Sequence, residues 1–147
     1  IEGFDGLSPK KASRLSVGYD LPVCEKTIIP AGEIRLVNTR LKVVYIPPNM
    51  YGVICDKSSL AKRDITIHGG IIDSDYRGDL CIFIRNGTLK DVEFCRGDYI
   101  AQIRFVTHAN ESLQVRTAQS MQLVDSMQER GDKGFGQMTQ RLQGQDR

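Results

Sequence analysis

Between residues 34 and 106 the hydrophobic positions of the chain come in short bursts. Ile34–Asn38, Leu41–Ile46, Tyr51–Cys55, Leu80–Arg85 and Tyr99–Val106 are rich in β-branched and aromatic residues and predict strands. Turn residues separate them: Pro30-Ala31-Gly32, Pro47-Pro48-Asn49, Gly69-Gly70, Asn86-Gly87 and Arg96-Gly97-Asp98. Short strands at close spacing with this punctuation predict an all-β fold, a compact distorted jelly roll or barrel. The one helix the pattern allows among them is a turn or two around Ser58–Arg63. Asn86-Gly87, between two apolar runs, predicts a hairpin turn.

The two ends read differently. Residues 1–13 are polar and predict an N-terminal arm ahead of a β domain over 14–125. Every glutamine lies at or after Gln102, and from Ser126 onward there is little to bury. Residues 126–147 therefore predict a flexible C-terminal tail. Within it, Arg130-Gly131-Asp132-Lys133-Gly134-Phe135-Gly136 sets one arginine and one aromatic ring among glycines. A lid closing over a charged, aromatic ligand needs those two groups on a mobile segment.

Composition narrows the classes. A length of 147 residues suits one domain, and a hydrophobic fraction of 40% excludes disorder throughout. Lys+Arg 20 against Asp+Glu 18 leaves a formal charge of +2, which argues against stable nucleic-acid binding as the main task. No apolar run approaches the ~20 residues of a membrane span, and no leader pattern opens the chain. Ile1 in place of methionine is expected of a trimmed chain, a cloned fragment or a piece cut from a longer polyprotein. Cys24, Cys55, Cys81 and Cys95 form no C-x-x-C pair and read as reduced, buried apolar residues of an intracellular protein. Two glycosylation tripeptides (at Asn86 and Asn110) and three Arg-Gly-Asp copies (at Arg77, Arg96 and Arg130) have simpler explanations as turns and loops.

Four segments in the β domain carry candidate chemistry. In Gly70-Ile71-Ile72-Asp73-Ser74-Asp75-Tyr76-Arg77-Gly78, Asp73 follows a strand and is held firmly enough for a general base. Tyr76 could then pack against a sugar or base. The same residues also read as an ordinary turn, with Gly78 permitting positive φ. Asp56-Lys57-Ser58-Ser59 puts a cation and two hydroxyls before the short helix, an anion site or simply a serine cap. Gln102 interrupts the apolar run that follows Gly97-Asp98-Tyr99, and on alternation alone it faces solvent. Gly18-Tyr19-Asp20-Leu21 is a weaker signal, with Asp20 as its acidic group. No Walker-type phosphate loop occurs.

The order of the pieces is more specific than any one of them. Ser16–Leu21, Lys57–Ala61, Gly70–Gly78, Gly97–Gln102 and Arg130–Gly136 resemble the five ordered motifs of the all-β trimeric dUTPases. Lys57, where many members carry arginine, and the Arg-Gly-Asp-Lys-Gly-Phe-Gly tail are similar to retroviral members.

The resemblance implies hydrolysis of dUTP to dUMP and pyrophosphate, which keeps uracil out of DNA and supplies the thymidylate precursor. It implies Asp73 as the base that deprotonates water for attack on the α-phosphorus, with Gln102 holding that water. It implies Lys57, Ser58 and Ser59 on phosphate oxygens, and Asp20 touching Mg²⁺ through water. Tyr76 would lie under the deoxyribose, and backbone groups of Gly70 and Cys81 would read the uracil edge. Arg130 would meet the γ-phosphate, and Phe135 and Gly136 would cover the base. It also implies a homotrimer with shared active sites, the third motif coming from a neighbouring chain and the tail from the remaining one. The location implied is cytoplasmic or nuclear, or a virion if the chain is retroviral. Two departures stand out: Gln137-Met138 replaces the usual Ser-Thr of the tail, and Lys57 gives up the bidentate geometry of arginine. A non-catalytic relative that senses nucleotide or binds protein, and a dCTP deaminase of the same fold, are the competing expectations.

Overall fold

The runs of β-branched and aromatic residues become strands. In the computed structural model, which describes residues 1–109, they are β1 (Glu2–Gly3), β2 (Tyr19–Pro22), β3 (Thr27–Ile29), β4 (Ile34–Lys42) and β5 (Met50–Cys55). After the single helical turn α1 (Ser58–Ala61) come β6 (Ile65–His68), β7 (Ile71–Ile72), β8 (Asp79–Asn86), β9 (Val92–Phe94) and β10 (Tyr99–Thr107). One antiparallel sheet runs β1-β4-β8-β6, a second runs β2-β10-β5-β7, and β3 pairs with β9 in a ribbon. This is the all-β, jelly-roll-like architecture that the pattern predicts. The tail positions Arg130, Phe135 and Gly136 lie outside the described residues.

Alternation decides which side chains enter the core. On β8, Leu80, Ile82 and Ile84 are buried while Cys81, Phe83 and Arg85 face outward. They join Val37 and Leu41 of β4 and Leu21, Ile54, Ile100 and Ile103 of the other sheet in one cluster. A fully buried aliphatic side chain contributes roughly 1.5–3 kcal/mol, so this cluster dominates the stability of the domain. Ile1 packs against the core, and Lys10 bridges Asp20, so the first residues are fastened at both positions.

Five local expectations need correction. The predicted break between Asn38 and Leu41 is a kink inside one strand. The β4–β8 register slips between Asn38 and Lys42, and Arg40 takes a φ of 56°. Thr39 is fully buried there; its hydroxyl donates to Leu80 O at 2.7 Å and accepts from Leu41 N, filling gaps in the ladder. The apolar residues after Lys42 are not in a strand; Val43 and Ile46 are buried all the same.

Asn86-Gly87 is not a hairpin, because β8 pairs with β4 and β6 while β9 pairs with β3. Asn86 is fully buried, donating to Ile29 O and Lys90 O and accepting from the Thr88 hydroxyl. A buried, fully bonded amide also makes that glycosylation tripeptide unusable. Of the cysteines only Cys24 is buried; Cys55 and Cys81 are half-buried and Cys95 is exposed, all as free thiols. Finally, Gly78 does not adopt positive φ, and its role is steric.

Candidate active site

Three of the sequence segments meet at one corner of the second sheet. Asp20 on β2 pairs with Gln102 on β10, and Gln102 pairs on its other side with Cys55 of β5. Directly opposed residues share a face of the sheet. The loop after β5 brings Lys57 back over this face, where its ammonium forms an ion pair with the Asp20 carboxylate. Both side chains are about four-fifths buried, with 20% and 18% exposure, and the ammonium also lies 5.9 Å from the Tyr99 ring. A pair this sheltered is screened less than a surface pair.

Gln102 does not simply face solvent. Its side-chain amide donates to Asp56 O at 2.8 Å, while the Asp56 carboxylate accepts from Ile67 N. These two bonds fix the start of α1. The serine-cap reading of that start is not what the structure has: the N-cap position is Lys57, and no side-chain bond caps the helix. Ser58 and Ser59 are exposed in its first turn, next to Lys57 in the chain. Two hydroxyls, first-turn amides and a cation on one edge suit a phosphate chain.

Gly18 belongs to this corner for a reason the sequence pattern did not reveal. A Cβ at Gly18 would overlap the carboxamide oxygen of Gln102. Gly18→Ala should therefore leave the melting temperature nearly unchanged, since the end of a flexible side chain yields. It should lower kcat by roughly ten- to a hundredfold, the usual cost of a small misplacement at a reacting centre. Steady-state kinetics beside a thermal melt checks both halves.

The remaining segment lies elsewhere on the same sheet. Ile72 pairs with Gly52 of β5, and Asp73 leaves the end of β7, exposed. Asp73 lines a cleft of about 630 Å³ with Tyr51, Ile71, Ser74, Asp75 and His108. The turn that follows is tightly made. Tyr76 N donates to Asp73 O at 3.2 Å, and the Arg77 guanidinium donates to Ser74 O and Tyr76 O, both at 2.7 Å. The Tyr76 ring rests on Gly78, where a Cβ would overlap it, and its hydroxyl donates to Asp79 O at 2.7 Å. Arg77 and Gly78 are thus turn-builders whose roles only the folded chain displays.

Gly70 and Cys81 come together in a narrower slot of about 150 Å³, walled by Ile54, His68, Ile71 and Phe83. Gly70 has a φ of 115°, its carbonyl accepts from Ile54 N at 2.8 Å, and a Cβ there would stand 2.7 Å from Ile54 O. Only glycine fits that position. Burial pushes the Cys81 thiol up from its ordinary pKa, with smaller contributions from Asp79 and Cys24, so it is a neutral wall of the slot.

The described site residues therefore form two groups. Asp20, Lys57, Ser58, Ser59 and Gln102 make one; Gly70, Asp73, Tyr76 and Cys81 make the other. Gln102 stands opposite Cys55, and Ile72 opposite Gly52, with β5 between their strands. At about 3.3 Å per residue and about 4.8 Å per strand, Asp73 and Gln102 of one chain are about 14 Å or more apart along the backbone. One water cannot touch both side chains across that gap.

An all-β domain with a sheltered lysine–aspartate corner, a ring-sized slot and an exposed carboxylate defines a domain that handles a small anionic ligand. The dUTPase family pattern matches residues 6–139. The deoxyuridine 5'-triphosphate nucleotidohydrolase of Candida albicans is 37% identical over 132 residues, 89% of this chain and 80% of that protein. The Pol polyprotein of equine infectious anemia virus is 31% identical over 133 residues, 90% of this chain; the chain spans only 11% of that polyprotein. The solved native dUTPase of that virus superposes with a TM-score of 0.67 at 29% identity, covering 77% of this chain and 93% of the other. The chain belongs to the dUTPase family of deoxyuridine 5'-triphosphate nucleotidohydrolases.

Proposed function

We propose that this chain hydrolyses dUTP to dUMP and pyrophosphate in active sites that copies of a homotrimer share. The observation that carries the reading is the sheet register: Gln102 stands opposite Cys55 and Ile72 opposite Gly52, which sets Asp73 and Gln102 of one chain about 14 Å or more apart. The two groups become one site only if Asp73 of one copy faces the Lys57–Gln102 corner of another.

In such a site Asp73 takes a proton from water, and the oxygen attacks the α-phosphorus in line. The bond from that phosphorus to the bridging oxygen breaks and pyrophosphate leaves. Gln102, held by Asp56 O, orients the water. Lys57, Ser58 and Ser59 neutralise and hold phosphate oxygens where charge gathers in the transition state. The slot between Gly70 and Cys81 accepts one pyrimidine ring, and backbone groups there separate uracil from cytosine and thymine. Tyr76, fixed on Gly78, makes a rigid floor for a sugar without a 2′-hydroxyl. Arg130, Phe135 and Gly136 close over the nucleotide.

The donor set fits Mg²⁺ carried on the triphosphate. Asp20 is a single sheltered carboxylate with one oxygen engaged by Lys57, suited to a contact through water. When bound, Mg²⁺ supplies neutralising charge for the phosphate chain. The reaction places the chain with nucleotide pools in the cytoplasm or nucleus, or in a virion if it is cut from a retroviral polyprotein.

The test is product analysis with the purified protein, dUTP and Mg²⁺. Stoichiometric dUMP and pyrophosphate are expected. Ammonia from dCTP would indicate the deaminase instead, and nucleotide binding without turnover would indicate a sensing module.

A further inference from the structure

Resting on the hydrolase reading, we propose that Asp56 is a positioning residue that sets Gln102 for the attacking water. On charge alone this acid is out of place. It precedes Lys57, Ser58 and Ser59, the groups that hold phosphate, and a carboxylate there repels what they attract. An acid ahead of a helix ordinarily serves the first helical amides, yet no side-chain bond caps α1.

The sheet register gives Asp56 a different task. Gln102 stands opposite Cys55, and Asp56 is the next residue of the chain. The Gln102 amide reaches past its partner and donates to Asp56 O at 2.8 Å. The Asp56 carboxylate accepts from Ile67 N on β6, the outer strand of the first sheet. An edge strand leaves amides without a ladder partner, and the carboxylate supplies one. Asp56 thus ties the end of β5 to the edge of the other sheet through its side chain, and holds Gln102 through its main chain. Freed from Ile67, the Asp56–Lys57 peptide can turn and carry the Gln102 amide with it. Lys57 keeps its own anchors in the Asp20 carboxylate and the Tyr99 ring. Loss of the Asp56 carboxylate therefore acts on alignment at the reacting centre rather than on binding of the phosphates.

The experiment is steady-state hydrolysis of dUTP with Mg²⁺ by the full chain and by Asp56→Ala and Asp56→Asn, beside a thermal melt. Asp56→Ala should lower kcat by roughly ten- to a hundredfold with KM within about threefold of wild type, as a small misplacement of reacting groups does. Asp56→Asn keeps an oxygen that accepts from Ile67 N, and it should bring kcat back to within about threefold of wild type. Both should melt close to wild type, because Asp56 is exposed. Wild-type kcat in Asp56→Ala would overturn the role and leave the hydrolase reading intact. Equal losses in both variants would also overturn it, by tying the effect to the charge rather than the bond. A lowered melting temperature with a parallel rise in KM would overturn it as general loosening. A wild-type chain that releases no pyrophosphate would remove the hydrolase reading, and this role with it.

Discussion

Asp73→Asn should lose turnover by about two to four orders of magnitude while dUTP binding and the melting temperature barely move. The size follows from the chemistry. An amide cannot accept the proton of water, so the nucleophile arrives with a proton it must lose unaided. The small effect on folding follows from the position. Asp73 is exposed at the end of β7, and the contact the turn makes with it is through its carbonyl, which accepts from Tyr76 N. Asparagine keeps that carbonyl and the side-chain volume. Pyrophosphate release, nucleotide titration and a thermal melt on one preparation check the three quantities together. A variant with the wild-type rate would exclude Asp73 as the base even if dUTP remains the substrate.

Much of this was legible before the fold was known. Leu80–Arg85 and Tyr99–Val106 marked both central strands, because β-branched and aromatic residues fill them and turn residues bound them. Lys57, Ser58 and Ser59 stood out as an anion site or a serine cap, since cation and hydroxyls are adjacent in the chain, and the structure shows no side-chain cap. What stayed hidden depends on contacts between distant residues. Gly18 is glycine because Gln102 crosses it, and nothing at position 18 announces position 102. Asn86-Gly87 looked like a turn from its own chemistry, yet the deciding partners were Ile29 O and Lys90 O. Asn38–Leu41 looked like a break because polar residues interrupt an apolar run. Buried Thr39 instead satisfies the kinked ladder from within. His108 had no motif around it; the register of β10 on β5 brings it beside Tyr51.

The sheltered Lys57–Asp20 pair sets the charge of the corner before substrate arrives, and Gln102 braces the loop that carries Lys57. Loss of either should act on phosphate placement, whereas loss of Asp73 acts on the proton. Variants in the two groups therefore fail for different reasons, and each leaves the other group intact.

That difference permits the decisive measurement. Asp73→Asn and Gln102→Ala chains, carrying different affinity tags and co-expressed, are purified through both tags and assayed with dUTP. If Asp73 and Gln102 of different copies meet, each doubly tagged trimer holds about one intact site in three, and activity returns to roughly that fraction of wild type. Each variant alone stays nearly inactive. Mixed assemblies no more active than the two variants alone would contradict the shared site and, with it, the role given to the gap between Asp73 and Gln102.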